Sequence, residues 1–153
     1  MKIGSFKKQG EIRVGAFEDD RVIDLNAAYE ASLRGGGESN AVAKAAAELP
    51  ADLLALIERG DDALSAAEKA VEYAQKSERS EPALVHSLSD ITFTAPLRPP
   101  KIVCTGTNYE DYRKLIGIDY APVPLIFLKS SSAVIGHEEA IRLPKGYGVF
   151  YHE

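Results

Sequence analysis

Residues 99–109 read Pro-Pro-Lys-Ile-Val-Cys-Thr-Gly-Thr-Asn-Tyr, and residues 125–129 read Leu-Ile-Phe-Leu-Lys. Each stretch holds a short apolar run bounded by proline, glycine or serine, which is typical of a β-strand. We therefore predict strands over 101–105 and 125–129, with a short helix or loop over 109–116 between them. Further strands are predicted over 91–95, 141–143 and 149–153. This half of the chain is expected to be rich in β-structure.

Three short strands are predicted to open the chain, over residues 2–6, 12–17 and 22–25. Turn-like residues separate them, Lys8-Gln9-Gly10 after the first strand and Asp19-Asp20 after the second. The chain is therefore expected to begin with short strands.

Helices are predicted after the third strand. Asp24 or Asn26 is placed to cap the first one, through about Leu33, by accepting hydrogen bonds from free backbone N–H groups. The Ala-rich stretch 40–77 predicts two or three more helices. An apolar face at helical spacing runs along the last of them, and we expect it to pack against the first sheet; a partner-binding helix is the alternative. The residues of this apolar face are Leu64, Ala67, Val71 and Ala74.

The mixture of strands and helices in the first part and the predominance of strands in the second predict an α+β protein in two parts. A small N-terminal domain of mixed helix and strand covers residues 1–90. A β-rich domain begins at residue 91 and occupies residues 91–153.

The composition narrows the classes of partner. The chain has 153 residues, is 45% hydrophobic and carries a formal net charge of −5, so no basic stripe is present and nucleic acid is not an expected partner. One cysteine, Cys104, excludes an internal disulfide, fits a reducing cytoplasm, and is expected to be a buried small hydrophobe. No apolar run approaches the roughly 20 residues that span a bilayer. A cytoplasmic protein without a membrane partner is expected.

Five short motifs follow one another in the second half of the chain. After the two stretches quoted above come Ser132-Ala133-Val134-Ile135-Gly136, Ile141-Arg142-Leu143-Pro144 and Tyr151-His152-Glu153. This order resembles the fumarylacetoacetate hydrolase family, whose members commonly carry Gly-x-Asn-Tyr, Phe-x-Lys, Ser-x-x-x-Gly, Ile-x-Leu-Pro and a Glu-x-Glu metal motif. The resemblance covers about residues 91–153. It implies a β-roll-like domain of mixed sheets.

The resemblance also implies that the chain is the N-terminal part of an enzyme that acts on 2-oxo acids or acylpyruvate-like substrates as a C–C bond hydrolase, lyase, dehydratase or isomerase. Mg²⁺ or Mn²⁺ is the expected cofactor of the full-length protein. Glutamates at i and i+2 of a strand point to one face, where a hard cation accepts oxygen ligands and stabilises an enolate. Glu153 matches the first of those glutamates, and the chain holds no second one after it. We therefore expect this chain alone neither to bind metal tightly nor to catalyse. A truncated or degenerate non-catalytic member, serving as a structural or interaction domain, is the alternative.

Candidate site residues follow from the same resemblance. Lys129 is expected to meet a substrate carboxylate or enolate oxygen as a point charge, its alternative being a strand-end lysine in solvent. Asn108, Tyr109 and Ser132 are expected to bind substrate, although turn chemistry for Asn108 and packing for Tyr109 are equally compatible.

The family's hydrolases carry a His and a Glu where this chain has Tyr112 and Leu115. Tyr112 is a poor base at neutral pH because its reference pKa is about 10, and Asp111 is a substitute base unless it is simply an exposed helix carboxylate. The missing pair favours lyase, dehydratase or isomerase chemistry over hydrolysis. Family members are often dimers, and apolar strands without partners favour a homodimer here.

Overall fold

The computed structural model describes residues 1–120, 122–146 and 148. Its larger sheet is built from β1 (Lys2–Lys8), β2 (Glu11–Glu18), β3 (Arg21–Asp24), β4 (Val85–Ser87) and β5 (Thr92–Phe93). These strands are antiparallel and lie in the order β4-β3-β2-β1-β5. The three strands predicted at the start of the chain are confirmed, except that Leu25 belongs to the helix that follows.

Four helices lie between β3 and β4, namely α1 (Leu25–Gly35), α2 (Ala41–Glu48), α3 (Leu53–Glu58) and α4 (Asp61–Ser77). Asp24 caps α1, because its side chain accepts a hydrogen bond from the backbone N–H of Ala27 at 3.0 Å. The same carboxylate lies 2.9 Å from Nε of Arg13 on β2 and is 6% exposed. One residue therefore fixes both the start of α1 and its attachment to the sheet.

The core lies between the sheet and the helices, with α1 packed on the sheet and α4 packed on α1. The predicted apolar face of α4 is partly wrong: Ala67 and Ala74 are buried, whereas Leu64 is 44% exposed and Val71 is only half-buried. The buried positions of α4 are all alanines, which let two helix backbones approach closely, so the buried face is rotated away from the bulkier leucine. The buried alanines of α4 are Ala63, Ala66, Ala67, Ala70 and Ala74.

The opposite face of the sheet carries an aromatic cluster. Phe6 is fully buried and meets the ring of Phe17 edge-on at 6.4 Å, and Phe17 stacks on Phe93 of β5 at 5.6 Å. Gly15 makes room for this cluster, because a Cβ there would lie 2.3 Å from Cγ2 of Val22.

The smaller sheet is an antiparallel pair, β6 (Ile102–Gly106) and β7 (Leu125–Lys129), and α5 (Glu110–Ile116) lies between the two strands in sequence. The strands predicted over 101–105 and 125–129 are confirmed, and the segment predicted as a helix or loop over 109–116 is the helix α5. Cys104, expected to be buried, is half-buried.

Two predicted strands differ from the structure, and one lies outside it. The strand predicted over 91–95 is reduced to β5, which pairs with β1 in the larger sheet. Residues 141–143 form no strand, because no strand among the described residues lies beside them, and Ile141 is 78% exposed. The strand predicted over 149–153 lies outside the described residues.

A loop beyond β7 returns to the larger sheet. A Cβ at Gly136 would lie 2.8 Å from the backbone nitrogen of Ala95, so only glycine allows this approach, and the ring of His137 meets Phe93 edge-on at 5.9 Å. The chain therefore leaves the larger sheet after Phe93 and contacts it again at residue 136. The division at residue 90 and the β-roll stay predictions. No helix within the described residues has the length and apolarity that a bilayer crossing requires.

Candidate functional site

The strand pair β6–β7 determines where the predicted site residues lie. Ile102 pairs with Lys129 at one end of the pair, and Gly106 pairs with Leu125 at the other. These two ends lie about 13 Å apart at the rise of an antiparallel strand. We call residues 107–112 the loop end and residues 129–132 the lysine end, and every described candidate belongs to one of them.

The loop end begins with strained backbone. Thr107 has a φ of +48° although its side chain is β-branched. Such residues cost roughly 1–3 kcal/mol and persist where the surroundings impose them, which happens often at functional sites. Gln9 and Asp19 also have positive φ, but both lie in tight hairpin turns. Thr107 lies instead where β6 ends, directly before Asn108.

Four candidates lie together at the loop end, and all are exposed to solvent. Asn108 and Tyr109 come before α5, and Tyr109 is 74% exposed, which argues against packing as its role within the described structure. Asp111 and Tyr112 lie in the first turn of α5, and Tyr112 is 53% exposed. The loop end therefore presents an amide, a carboxylate and two phenols to the solvent.

The lysine end holds the other two described candidates. Lys129 ends β7, and its Nζ lies 5.8 Å from the ring centroid of Phe127. Ser132 lies in a short 3₁₀ turn, where its N–H donates to Oγ of Ser130 at 3.3 Å and the two hydroxyl oxygens are 2.7 Å apart. The hydroxyl of Ser132 thus already contributes to the turn.

The sequence gives no hint of a buried arginine on α5. Arg113 is 5% exposed, and its guanidinium carbon lies 3.1 Å from the ring centroid of Tyr120. The chain reverses after α5 because Gly117 takes the left-handed conformation and the N–H of Ile118 donates to the Arg113 carbonyl at 3.0 Å. A glycine followed by an apolar residue after the helix is the only sequence signal for this return, and it does not predict which side chain Tyr120 will cover.

A polar cleft on the larger sheet was also not predicted. It encloses about 550 Å³ and is lined in part by Lys8, Arg13, Asp24 and His86. The ammonium of Lys8 donates to Nδ1 of His86 at 2.8 Å, because an ammonium has no acceptor. Burial, and to a lesser degree the charge of Lys8, hold the pKa of the His86 imidazole below its usual value. The residues of the cleft come from several strands, so no local sequence pattern predicts it.

Within the described ranges no group of three or more His, Cys, Asp or Glu side chains is arranged to hold a metal ion. Glu153, the predicted metal ligand, lies outside those ranges. The described side chains therefore do not by themselves provide the oxygen cage that Mg²⁺ requires.

Comparison with known proteins gives several relatives that are named as oxaloacetate tautomerases. The mitochondrial oxaloacetate tautomerase Fahd2a of Rattus norvegicus is 35% identical over 97 residues, which cover 63% of this chain and 28% of the relative. The oxaloacetate tautomerase YisK of Bacillus subtilis is 26% identical over 147 residues, covering 93% of this chain and 45% of the relative. The mitochondrial oxaloacetate tautomerase fahd2 of Xenopus laevis is 30% identical over 125 residues, covering 81% of this chain and 31% of the relative. No family model matches the chain.

The chain belongs to the fumarylacetoacetate hydrolase family, of which these relatives are members. Within that family, the three relatives described above are oxaloacetate tautomerases. The chain spans less than half the length of each of the three.

Proposed function

We propose that the whole protein interconverts the keto and enol forms of a 2-oxo acid, with oxaloacetate as the first candidate substrate. One observation carries the proposal: the similarity to a bacterial oxaloacetate tautomerase extends over 93% of the chain. The absence of the His and Glu pair at Tyr112 and Leu115 supports an isomerase over a hydrolase, because no water has to be activated in a tautomerisation.

Tautomerisation moves one proton between a carbon and the neighbouring keto oxygen. A C–H bond breaks as an O–H bond forms, and no other reactant is consumed. The reaction needs a base for the carbon proton, a donor for the oxygen, and positive charge near the enolate. We assign the base to Asp111, the donor to the phenol of Tyr112, and the positive charge to Lys129. Asn108, Tyr109 and Ser132 are assigned to hydrogen bonding of the substrate.

The two ends of the β6–β7 pair limit how these groups cooperate. A four-carbon acid is shorter than the separation of about 13 Å between the ends. Lys129 and Asp111 therefore act on one substrate molecule only if their side chains, or α5 itself, reach across this backbone separation. If they do not, only one end holds the reacting carbon.

Dependence on Mg²⁺ or Mn²⁺ is part of the proposal and rests on Glu153. A single carboxylate does not complete an octahedral site, so other ligands have to join it. We expect a chelator to abolish tautomerisation, Mg²⁺ to restore it, and Glu153→Gln to weaken the response to Mg²⁺ by about 10-fold or more, the range found when a residue that supports a metal site is removed. A chelator without effect would contradict this part alone.

The test of the proposed function follows the ultraviolet absorbance of enol oxaloacetate as the whole protein, once purified, converts it. We expect conversion above the buffer-catalysed rate, and a loss of about 100-fold in kcat in Asp111→Asn or Lys129→Met, the typical contribution of one acid–base or charged group. Lys145→Met, an exposed lysine outside both ends, is the control. Loss in both variants means that the two ends act together, and loss in one identifies the end that holds the substrate. A protein that never exceeds the buffer rate contradicts the proposal.

A non-catalytic role is the second candidate, and one observation favours it. Leu115, at the position where the family's hydrolases carry the Glu, is 82% exposed, which suits a contact surface better than a catalytic helix. The same assay separates the two functions, because an interaction domain has no conversion above the buffer rate.

A further inference from the structure

Arg113 is a buried cation without a charged partner among the described residues. It is 5% exposed, and its Nε–H, which is shielded from solvent, makes no hydrogen bond. An unsatisfied buried donor costs free energy, and more so when its group is charged. The carboxylate of Glu110 does not offset this cost, since it is paired with the ammonium of Lys114 at 2.7 Å. Such a group requires either a structural reason or a missing anion.

Stacking explains only part of the environment of Arg113. Tyr120 lies over the face of the guanidinium, 3.1 Å from ring centroid to carbon, and a desolvated contact of this kind is favourable. The donors of a guanidinium, however, point outward in its plane. A ring on the face therefore leaves the Nε–H on the edge without a hydrogen-bond partner.

That edge fits a carboxylate. Nε–H and one terminal N–H of an arginine form two parallel hydrogen bonds to the two oxygens of a carboxylate, and such charge-assisted pairs are stronger than neutral ones. The stacked ring and the left-handed turn at Gly117 hold the guanidinium in one orientation, so little side-chain entropy remains to be lost on binding.

The location of Arg113 points to a ligand of the loop end. Its backbone N–H donates to the carbonyl of Tyr109 at 3.1 Å, so it lies one helical turn after Tyr109 and directly after Tyr112. The strained Thr107 begins the same segment. A 2-oxo dicarboxylate has a carboxylate on each side of its reacting carbon, and an acidic protein of net charge −5 needs a local cation to hold it.

We propose that Arg113 binds a carboxylate group of a 2-oxo acid through its Nε–H edge while Tyr120 holds the guanidinium by stacking. The identity of the ligand class rests on the proposed function, whereas the anion site itself rests on the buried, unpartnered side chain. Arg113 is then the specificity residue of the loop end, because it distinguishes substrates that carry a carboxylate at that position from neutral ones.

The test observes the Nε–H proton of Arg113 by nitrogen–proton NMR of the full 153-residue chain, with oxalate as the probe. Burial should protect this proton from exchange with water. We expect its resonance to shift saturably with oxalate, and to stay in place with sodium chloride of the same ionic strength. Assignment comes from through-bond correlations along the Arg113 side chain, so it needs no variant. A resonance that ignores oxalate overturns the proposal, and this holds whether or not any variant folds.

A matched pair of variants extends the test to affinity. Arg113→Gln should weaken oxalate binding roughly tenfold or more, because a hydrogen-bonded charge is lost. Lys114→Gln removes the same charge from the neighbouring exposed position and should leave the affinity unchanged. Equal weakening in both variants, with circular dichroism showing folded protein, would mean general electrostatics and contradict a specific site.

Failure of this site and failure of the proposed function give different results. An Arg113 resonance that shifts with oxalate in a protein without tautomerase activity leaves the anion site standing and removes the function. An active protein whose Arg113 resonance ignores oxalate, and whose Arg113→Gln variant keeps the same KM, leaves the function standing and removes the site.

Discussion

Thr107 is the residue at which the local backbone opposes its side chain most clearly. Replacing it with glycine removes the conflict at φ +48°, because glycine lacks the Cβ that crowds the left-handed region. Glycine also adds freedom to the unfolded chain, which offsets part of the gain. We expect Thr107→Gly to raise the free energy of unfolding by about 1 kcal/mol, the lower part of the range for strain of this kind. Urea denaturation measures it.

The control is Thr105→Gly, two residues earlier in β6, where φ is not positive. There glycine only weakens the strand, and we expect a loss of about 1 kcal/mol. Two changes of the same chemistry should thus have opposite signs. If Thr107→Gly also destabilises the chain, Thr107 is not strained. If it stabilises the chain and lowers tautomerase activity, the strain serves to hold Asn108 for the substrate.

His86 gives a prediction for pH. Its pKa is lowered in the folded chain, first by burial and then by Lys8, so the unfolded chain binds a proton more readily. The stability that the neutral imidazole contributes is present above the unfolded pKa of about 6.5 and is lost as the pH falls through the lower folded value. We expect the urea midpoint of the wild-type chain to fall further between about pH 7.5 and about pH 5.5 than that of His86→Gln. Equal falls would contradict the shift.

At the scale of the elements, the start of α1 depends on one carboxylate with two functions. Asp24 accepts from the N–H of Ala27 and pairs with Arg13, and it is almost fully buried. Asp24→Ala removes the cap and leaves Arg13 with only the longer, exposed pair to Glu11 at 3.7 Å, so we expect a loss of about 3 kcal/mol. Asp52→Ala removes the cap of α3, which is exposed, and should cost about 1 kcal/mol. Thermal unfolding of the two variants checks the difference, and similar losses would mean that the pair with Arg13 contributes nothing.

The elements also show how far the sequence alone predicts this structure. Short runs of strand-forming residues bounded by turn residues are sufficient to predict β1, β2, β3, β6 and β7, because each strand lies beside a neighbour that the same kind of pattern specifies. Pairing partners are not local, so the sequence pattern assigns β5 to the second half of the chain although it pairs with Phe6 and Lys7. The buried face of α4 was misjudged because close contact with α1 selects alanine over leucine, and propensity does not encode that distance.

The candidate site was predictable only where one residue type implies one chemistry. Lys129 and Asn108 were identified from their motifs, but the register that puts them at opposite ends of the β6–β7 pair is a property of two strands together. Arg113 escaped prediction because arginine is usually exposed, and its burial results from the turn at Gly117 and the stacking of Tyr120, which lie outside the helix.

At the scale of the whole molecule, the two sheets differ in how they are covered. The larger sheet buries one face under α1 and carries the aromatic cluster on the other, whereas the β6–β7 pair is largely open. By the register, Val103 and Leu128 face the same side, and so do Thr105 and Ile126. The three apolar side chains on that side are 61%, 71% and 61% exposed, for Val103, Leu128 and Ile126 respectively. A patch of this kind on open strands promotes association.

We therefore expect the chain to self-associate through this face, and analytical ultracentrifugation over a range of concentrations should show species heavier than the 16.6 kDa monomer. Ile126→Lys places a charge in the patch and should shift the chain toward monomer without loss of stability, because the side chain is already exposed. Ile141→Lys adds the same charge at a site that is 78% exposed and outside any strand, so association should persist. A wild-type chain that stays monomeric, or two variants that dissociate alike, would show that the open strands do not mediate contact between copies.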